Sequence, residues 1–215
     1  MRAYHLTPER WALESMKHRR LKVALLEDMN DPFELLGIEH KTPGECAFFQ
    51  RGLKPEMNRT IGLLCFSLKW NSPVLWSHYA DKHRGLCLGF DIPDQWAKKV
   101  MYVEQRLKAE IENSNLSDDT NLAGYKLITT KYRDWEYENE IRLIIKLESA
   151  RYEDPNYFAS YCEAFILREI VVGVRSKITN QDLLASLSPE DADVSIIRSR
   201  LAPDSFQIIP ETTNR

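Results

Sequence analysis

The chain has 215 residues, and its 29 Lys and Arg against 32 Asp and Glu leave a formal net charge of -3 at pH 7. Hydrophobic residues make up 43% and aromatic residues 10%, which is typical of one globular domain that buries a core. The charge excludes a global basic field that would attract nucleic acid, but it leaves a local basic patch open. The sequence contains neither a secretion signal nor eighteen consecutive apolar residues, which predicts a cytoplasmic protein with no membrane partner.

Cysteine and histidine usage does not indicate a disulfide or a metal site. The four cysteines are spread along the chain without a CxxC pair: Cys46, Cys65, Cys87 and Cys162. Two of them lie in apolar, strand-like runs, which favours buried free thiols in a reducing compartment. His78 and His83 are five residues apart, which is not a standard zinc spacing, so no metal ligand is predicted.

Hydrophobic period and turn residues predict alternating strands and helices along the first half of the chain. The stretch "RAYHLT" predicts a strand, and Thr7 and Pro8 are the predicted cap and first residue of a helix through "ERWALESMKHR". "LKVAL" predicts a short strand, and "EDMNDPFE" predicts a loop rich in turn formers. "TIGLLCFS" is almost entirely apolar, which is typical of a central strand that is buried on both faces.

The second half continues this alternation. Ser72 and Pro73 are predicted to begin the helix "SPVLWSHYADKH", which precedes a buried strand, "RGLCLGFDI". A polar helical region is predicted from Asp94 to Lys131. "EYENEIRLIIKL" and "FILREIVVGV" predict further strands, and "TNQDLLASL" predicts a helix capped by Thr179. "VSIIRSRL" and "SFQIIP" are predicted to complete the sheet.

About seven short strands with interspersed helices predict an α+β domain with a mixed, largely antiparallel sheet. A single domain is predicted over residues 1–210, with a frayed tail at residues 211–215. No GxGxxG or GxxxxGK[ST] motif follows a strand, so the sequence does not predict a Rossmann or P-loop nucleotide site. The GxSxG and HExxH motifs of hydrolases and zinc proteases are absent as well.

The stretch "EYENEIRLIIKL" places three carboxylates directly before an apolar strand. Glu136, Glu138 and Glu140 are predicted to share one face of this strand, because alternate residues of a strand point the same way. Three like charges on one face repel each other and require compensating groups. Two interpretations stay open: a solvated strand edge with Arg133 and Arg142 as partners, or the edge of an active site.

Four further residues are candidates for a functional role, and each has a structural alternative. His5 lies in the first strand, where a hydrogen-bonded structural histidine is common. Asn30 in "NDPFE" is compatible with a turn in which it only caps backbone amides. Trp76 and Tyr79 are three residues apart on one helix face, for which core packing is the simpler interpretation. None of these positions predicts a functional site by itself.

Taken together, four segments resemble a known family. They are "MNDPFE", "LLCFS", "LWSHYADKHRGLCLGFD" and "WEYENEIRL". In order and spacing they resemble a widespread prokaryotic family catalogued as domain of unknown function 2971, over roughly residues 4–175. This family label implies no reaction.

A second and more distant resemblance is to the ADP-ribosyltransferase fold. "YHLT" is similar to the first strand of that fold, which carries His or Arg. "GLLCFSLKWNSPVLWSHYADKHRGLCLGFDI" is similar to its next strand, its tyrosine-bearing helix and its GLxLxxF strand, and "YENEIRLI" resembles the ExE motif that opens a later strand. Cys65-Phe66-Ser67 departs from the histidine branch of the fold and is closer to the serine of the arginine branch, so the signature is mixed.

The resemblance implies that NAD is the substrate and that carboxylates act on it. Breaking the bond between ribose and nicotinamide develops oxocarbenium character on the sugar, which a carboxylate near the ribose 2′-hydroxyl stabilises. Glu140 is the predicted carboxylate, and Glu138 is predicted to take a proton from the incoming nucleophile or to orient it.

The resemblance also implies the groups that hold NAD. His5, with Thr7 nearby, is expected to bind the adenosine ribose or its phosphate, and an aromatic ring is expected to stack on nicotinamide. Arg142 is expected to pair with the glutamates or to contact the pyrophosphate. The predicted NAD-binding residues are His5, Thr7, Asn30, Phe66, Ser67, Trp76, Tyr79 and Arg142.

The implied function is that of a toxin or phage-defence ADP-ribosyltransferase. Its acceptor would be RNA, DNA or a protein, and a toxin of this kind implies an antitoxin partner. Two other classes of function stay open. One is a metal-dependent PD-(D/E)xK nuclease with Asp91 and Lys146 in its site, although the matching position has Glu140-Ile-Arg142 in place of Glu-x-Lys. The other is a binding module without enzymatic activity.

The arrangement of a few residues in space separates these classes. A cleft that joins His5, Tyr79 and Glu140 supports the transferase. A cluster of Glu140 with Asp91 and Lys146 supports the nuclease. Glu140 alone in solvent supports neither.

Overall fold

A computed structural model describes residues 1–39, 42–48, 51–52, 54–108 and 122–211. Its helices are α1 Glu9–Lys17, α2 Pro43–Phe48, α3 Lys54–Thr60, α4 Pro73–Tyr79, α5 Leu122–Thr129 and α6 Asn180–Ala185. Its strands are β1 Arg2–Thr7, β2 Arg20–Val23, β3 Ile61–Ser67, β4 Leu86–Asp91, β5 Lys98–Lys99, β6 Met101–Val103, β7 Thr130–Tyr132, β8 Glu140–Lys146, β9 Arg151–Glu153, β10 Asn156–Ser160, β11 Ile166–Val172, β12 Ser195–Leu201 and β13 Ile208–Pro210. No helix within these ranges is long and apolar enough to cross a membrane.

Eight strands form the main sheet, in the order β13-β12-β11-β4-β1-β3-β8-β5. Neighbouring strands are antiparallel except for β11 and β12, which are parallel. Strands β2, β10 and β9 form a small antiparallel sheet, and β6 pairs with β7 in parallel. The predicted α+β class with a mixed, largely antiparallel sheet is therefore confirmed.

The main sheet opens between β1 and β3. These two strands pair only at Tyr4 and Ser67, whereas β1 pairs with β4 at six positions and β3 pairs with β8 at seven. Beyond Tyr4 the side chain of His5 takes over, since its Nδ1 lies 3.0 Å from the carbonyl oxygen of Cys65. The continuous apolar runs of β3 and β4 explain why both are buried, and the opening between β1 and β3 creates room inside the sheet.

The two faces of the sheet are covered differently. On one face, Phe66, Leu88 and Ile141 pack into a core that includes residues of α1 and β2. On the other face, Leu6 belongs to a cluster with residues of α4. A third cluster, formed around Leu63, includes residues of α3 and α5 and lies beside the second one.

The helix starts were predicted with mixed success. Helix α6 begins after Thr179 with a capping box to Asp182, and α4 begins at Pro73 after Ser72, as predicted. The prediction that Thr7 caps α1 is wrong. Thr7 is the last residue of β1, where it pairs with Leu86, and the residue before the helix is Pro8. The pairing of β1 with β4 keeps the backbone of Thr7 extended.

The predicted polar helix from Asp94 to Lys131 is wrong for its described part. This segment forms β5 and β6, then α5, and ends within β7, whereas residues 109–121 lie outside the described residues. Strand β5 pairs with the edge of β8 that β3 leaves open. The hydrogen bonds gained by pairing the exposed backbone groups of this edge outweigh the local helix propensity of the segment. In the predicted tail, the backbone N–H of Glu211 donates to the carbonyl of Arg198, and residues 212–215 lie outside the described residues.

Candidate functional site

The acidic run does not form one strand. Residues Arg133–Glu138 form a 3-10 helix, Asn139 has left-handed backbone angles (φ 46°, ψ 52°), and β8 begins only at Glu140. The prediction that three glutamates share one strand face is therefore wrong. The side chain of Glu136 is 66% exposed, whereas Glu138 and Glu140 are 5% and 6% exposed. The reversal at Asn139 brings these two buried carboxylates towards each other.

Arg142 compensates part of this buried negative charge. It follows Glu140 by two residues on β8, so both side chains lie on one face of the sheet. Its guanidinium donates to both carboxylate oxygens of Glu140, at 2.8 and 3.0 Å, and to both oxygens of Glu34, at 2.5 and 3.0 Å. It also donates to the carbonyl oxygen of Ile128. Arg142 is fully buried and clamps Glu34 and Glu140 together.

Lys131 provides the second cation. It lies on β7, and its Nζ is 2.5 Å from Glu138 and 3.4 Å from Glu140. The same Nζ lies 4.7 Å from the centre of the Trp135 ring, which gives it a further favourable contact. Lys131 thus bridges the two glutamates that Asn139 brings together.

The cluster as a whole keeps a formal negative charge. Three buried carboxylates (Glu34, Glu138 and Glu140) face two buried cations (Lys131 and Arg142), which leaves one uncompensated negative charge. Burial acts to raise the pKa of Glu140, but Arg142 and Lys131 outweigh it and hold that pKa below its ordinary value. Burial raises the pKa of Glu34, whereas Glu140 and Glu138 raise the pKa of Lys131 against the effect of burial.

Tyr79, Asn30 and Ser67 position Glu138. The Tyr79 hydroxyl donates to the Glu138 carboxylate and accepts from Asn30 Nδ2 at 2.6 Å. Burial and the charge of Glu138 raise the pKa of Tyr79 well above its ordinary value, so the hydroxyl keeps its proton. Ser67 Oγ donates to the backbone carbonyl of Glu138 at 2.6 Å. Tyr79 therefore fixes the carboxylate of Glu138, Asn30 supports Tyr79, and Ser67 fixes the backbone of Glu138.

A cavity of about 240 Å³ lies against this cluster, at the opening between β1 and β3. It joins His5, Tyr79 and Glu140, the combination that the sequence predicted for a transferase. Its wall includes seven of the ten predicted site residues: His5, Asn30, Phe66, Ser67, Tyr79, Glu138 and Glu140. Further lining residues are Tyr4, Leu6, Ala24, Asp28, Met29, Cys65, Leu75 and Lys131.

His5 is held by its backbone contact. Because a carbonyl oxygen only accepts hydrogen bonds, Nδ1 carries the proton in its contact with Cys65, and Nε2 is left as an acceptor. The ring packs edge-on against Phe66, with 5.9 Å between centroids. Burial lowers the pKa of His5, which keeps the imidazole neutral.

The structure does not bring Thr7, Trp76 and Arg142 into the cavity. Trp76 is fully buried, and its Nε1 donates to the carbonyl of Trp70 at 2.6 Å, so it has no free face for nicotinamide. The Arg142 guanidinium is occupied by Glu34 and Glu140, so the expected pyrophosphate contact is replaced by the expected pairing with a glutamate. Thr7 lies at the end of β1 and is buried, and it is not part of the cavity wall.

The constellation of a nuclease is not assembled. Asp91 on β4 is paired with Arg2 and Arg168, at 2.8 and 3.0 Å. In the sheet order, β4 lies three strands away from β8, which corresponds to about 14 Å. Lys146 lies at the opposite end of β8 from Glu140. In the part of the chain that the structure describes, no three His, Cys, Asp or Glu side chains are grouped to hold a metal ion.

Sequence reasoning missed two members of the cluster. Glu34 ends the "MNDPFE" motif, but its charge was not linked to Arg142, because the two are 108 residues apart. Lys131 closes a segment predicted as a polar helix, where a lysine gives no functional signal. Tyr102 was missed as well, and its hydroxyl accepts from the backbone N–H of Glu140 at 2.8 Å.

Comparison with known proteins gives one match, to a family model that includes Lys131, Glu138, Glu140 and Arg142 of the cluster. The family model described as "Protein of unknown function (DUF2971)" matches residues 75–143. The match includes the segments around Tyr79 and Glu140, but not "MNDPFE" or "LLCFS". No curated protein and no solved structure matches the chain. The family predicted from the motifs is thus confirmed by this match, which covers residues 75–143 of the chain.

Proposed function

We propose that the chain transfers ADP-ribose from NAD to an acceptor, with Glu140 as the essential carboxylate. The observation that supports this proposal most strongly is the single cavity that joins His5, Tyr79 and Glu140. The elements that contribute to or flank this cavity follow the same order along the chain as the motifs that resemble the ADP-ribosyltransferase fold. They are β1, β3, α4, β4 and β8. We therefore propose an ADP-ribosyltransferase-like fold for the domain.

The cavity fits one half of NAD. Its volume of about 240 Å³ is slightly smaller than the roughly 300–1,000 Å³ of sites that enclose a drug-sized ligand. It therefore accommodates the nicotinamide ring and its ribose, with the rest of the dinucleotide outside. Phe66, Leu6 and Met29 supply apolar wall for the ring, and Glu140 supplies a carboxylate for the ribose.

The charge of the cluster suits the chemistry. When the bond between ribose C1′ and the nicotinamide nitrogen breaks, its electron pair leaves with nicotinamide, and positive charge develops on the ribose. The uncompensated negative charge near Glu140 stabilises that positive charge. An acceptor O–H or N–H group then bonds to C1′ and releases its proton, which completes the transfer.

Glu138 is the proposed acceptor of this proton. It lies beside Glu140 in the cavity wall, and Tyr79, Lys131 and Ser67 hold it in place. A carboxylate within reach of the nucleophile acts as a general base only if it is oriented, which these three contacts provide. Glu140 and Glu138 thus have separate roles in the proposal.

The first test follows label from NAD. NAD labelled in its adenylate half is incubated with the protein together with cell protein, RNA or DNA, and released nicotinamide is measured in parallel. Glu140→Gln is expected to lose transfer and release by roughly 100-fold or more, because it removes the charge that stabilises the transition state. Glu136→Gln, at an exposed position of the same run, is expected to behave as wild type.

Because Glu140 is paired with Arg142, folding of the Glu140→Gln variant is checked by its thermal unfolding. Tyr79→Phe provides a second variant that keeps the charges and removes only the hydroxyl that holds Glu138. It is expected to reduce transfer more than it reduces stability. Wild-type protein that neither releases nicotinamide nor transfers label would refute the proposal, and magnesium-dependent cleavage of the nucleic acids would then favour the nuclease.

A further inference from the structure

A second cavity, of about 250 Å³, shares Lys131 with the first. Lys131 lines both cavities, and its Nζ lies 2.5 Å from the carboxylate of Glu138 and 3.4 Å from that of Glu140. Its wall is formed by Phe33, Leu36, Gly37, Val103, Glu104, Gln105, Arg106, Thr130, Lys131 and Tyr132. These residues come from the segment after "MNDP", from the end of β6 and from β7.

Exposed aromatic rings line this second cavity. Phe33 is 55% exposed and Tyr132 is 47% exposed, although both are large enough to contribute to a core. The guanidinium of Arg106 lies 5.6 Å from the centre of the Phe33 ring. Aromatic faces that are open to solvent beside a cationic guanidinium are the elements on which nucleobases stack.

Thr130, which also lines this cavity, has a buried hydroxyl without a partner. Thr130 is only 2% exposed, and its Oγ1 has no hydrogen-bond partner. Its side chain packs against Gly37, where an added Cβ would lie 2.8 Å from Thr130 Cγ2. The neighbouring Thr129 is equally buried, but its Oγ1 donates to the carbonyl of Tyr125 at 2.8 Å. A buried hydroxyl without a hydrogen-bond partner lowers the stability of the folded protein. A ligand whose polar edge bonds to this hydroxyl removes that penalty.

We propose that this second cavity binds one unpaired nucleobase of an acceptor nucleic acid. The base stacks on Phe33 and Tyr132, its polar edge bonds to Thr130, and Arg106 contacts the adjoining phosphate. A nucleobase is the ligand that combines a flat apolar face with hydrogen-bonding groups on its rim and a negative charge close by. The net charge of -3 fits recognition of one or a few nucleotides better than that of a long backbone.

Binding of the base stands on the cavity alone, but its role as acceptor rests on the proposed transfer from NAD. The position supports that role, because Lys131 lines the proposed base site and also contacts Glu138 and Glu140. The transfer requires the amino or ring N–H group of the base to reach the ribose C1′ of NAD held in the first cavity.

The test uses Thr130→Val, which replaces the hydroxyl by a methyl group of the same shape. Binding of short single-stranded RNA and DNA oligonucleotides is measured by fluorescence anisotropy, and thermal unfolding is measured on the same samples. Thr130→Val is expected to bind roughly fivefold or more weakly and yet to unfold at a higher temperature, because an unpaired buried hydroxyl is removed. Thr129→Val is the matched control, and it is expected to bind as wild type with a lower unfolding temperature.

A second variant tests the stacking surface. Phe33→Ala is expected to weaken oligonucleotide binding roughly tenfold or more, whereas Phe206→Ala, at a position 98% exposed outside the cavity, is expected to leave it unchanged. Wild-type affinity in both Thr130→Val and Phe33→Ala would overturn the proposal, as would label transfer to protein alone with no oligonucleotide binding.

The outcome for this subsite is separable from that for NAD. Glu140→Gln is expected to lose nicotinamide release and to keep oligonucleotide binding, since Glu140 does not line the second cavity. If wild-type protein binds oligonucleotides in a manner that depends on Thr130 but releases no nicotinamide, the subsite is supported and the proposed transfer is refuted. If nicotinamide is released but no oligonucleotide binds, the transfer stands and the subsite is refuted.

Discussion

Arg142 connects two carboxylates that reach the cluster from distant parts of the chain. Its planar guanidinium donates in parallel to Glu34 on one side and to Glu140 on the other, which a single ammonium group cannot do. Leaving buried carboxylates without such a partner is costly, since the desolvation of each charge is then uncompensated. Arg142 is therefore a positioning residue for Glu140.

The first residue-scale prediction concerns this clamp. Arg142→Lys is expected to lower the free energy of unfolding by about 3 kcal/mol, because it keeps the charge but loses the simultaneous contacts. Urea unfolding measures the change. The matched variant is Arg59→Lys, in an exposed pair with Glu56, for which a change within about 0.5 kcal/mol is expected. An Arg142→Lys variant as stable as wild type would show that the fork geometry is unimportant.

The second residue-scale prediction concerns pH. Burial lowers the pKa of His5 below its ordinary value of 6.5, so the folded state binds fewer protons than the unfolded chain just below that pH. The contribution of His5 is thus complete above about pH 6.5 and is lost as pH falls towards the folded-state pKa. His5→Asn, which can still donate to the Cys65 carbonyl, is expected to flatten the loss of stability between about pH 6.5 and pH 5.

The pH experiment needs a control at His83. Burial and the charge of Arg175 also lower the pKa of this histidine. His83→Asn is expected to remove its own share of the same slope, and the double variant is expected to remove both. Urea unfolding across the pH range measures each slope. Identical slopes for wild type and His5→Asn would show that His5 titrates alike in the folded and unfolded states.

At the scale of elements, one left-handed residue creates the pair of glutamates. Asn139 ends the 3-10 helix and starts β8, so Glu138 belongs to a turn and Glu140 to a strand. Asparagine adopts the left-handed region more readily than other residues with a Cβ, and β-branched residues adopt it least. The contact of both carboxylates with Lys131 therefore depends on this residue.

The prediction for this element compares two substitutions. Asn139→Val is expected to lower the free energy of unfolding by about 1–2 kcal/mol, because its side chain conflicts with a φ of 46°. Asn139→Gly is expected to stay within about 0.5 kcal/mol of wild type, since glycine adopts this conformation freely. Thermal and urea unfolding check both variants. Equal stability of the Val and Gly variants would mean that the turn relaxes into another conformation.

A second element explains much of the family motif. Between α4 and β4, Asp81, Lys82 and His83 all have positive φ values, of 43°, 53° and 72°. The chain then reaches Gly85, where an added Cβ would lie 2.2 Å from the carbonyl oxygen of Thr7. The "ADKHRG" part of the motif is therefore a tight connection that delivers β4 beside β1. The residue types of this part are explained by the geometry of the connection. Tyr79, just before it, contributes to the candidate site.

At the scale of the whole molecule, the opening of the main sheet decides where chemistry is possible. Strands β1 and β3 diverge after one paired position, and the first cavity occupies the opening. Leu6 of β1 and Leu63 of β3 belong to different apolar clusters, and Lys131, Glu138 and Glu140 of the charged cluster line the cavity in the opening. A fully paired sheet would leave the carboxylates buried without access for a substrate.

Much of the fold was predictable from the chain, because its signals are local. The apolar runs of β3, β4 and β11 and the Thr179 cap of α6 depend on neighbouring residues, and they were predicted with nearly correct bounds. The short strands β5, β6, β7, β9 and β10 were missed, because they form by pairing with other strands and carry little signal of their own.

The candidate site was predictable in its residues but not in its geometry. The motifs pointed to His5, Tyr79 and Glu140, and these do meet at one cavity. They could not show that Arg142 and Trp76 are buried and absent from the cavity wall. Nor could they show that Lys131 and Glu34 belong to the cluster of buried charges. Residue types and local patterns can be identified from neighbouring residues in the sequence. Charge compensation, in contrast, depends on contacts between residues up to 108 positions apart. Only the tertiary structure brings those partners together.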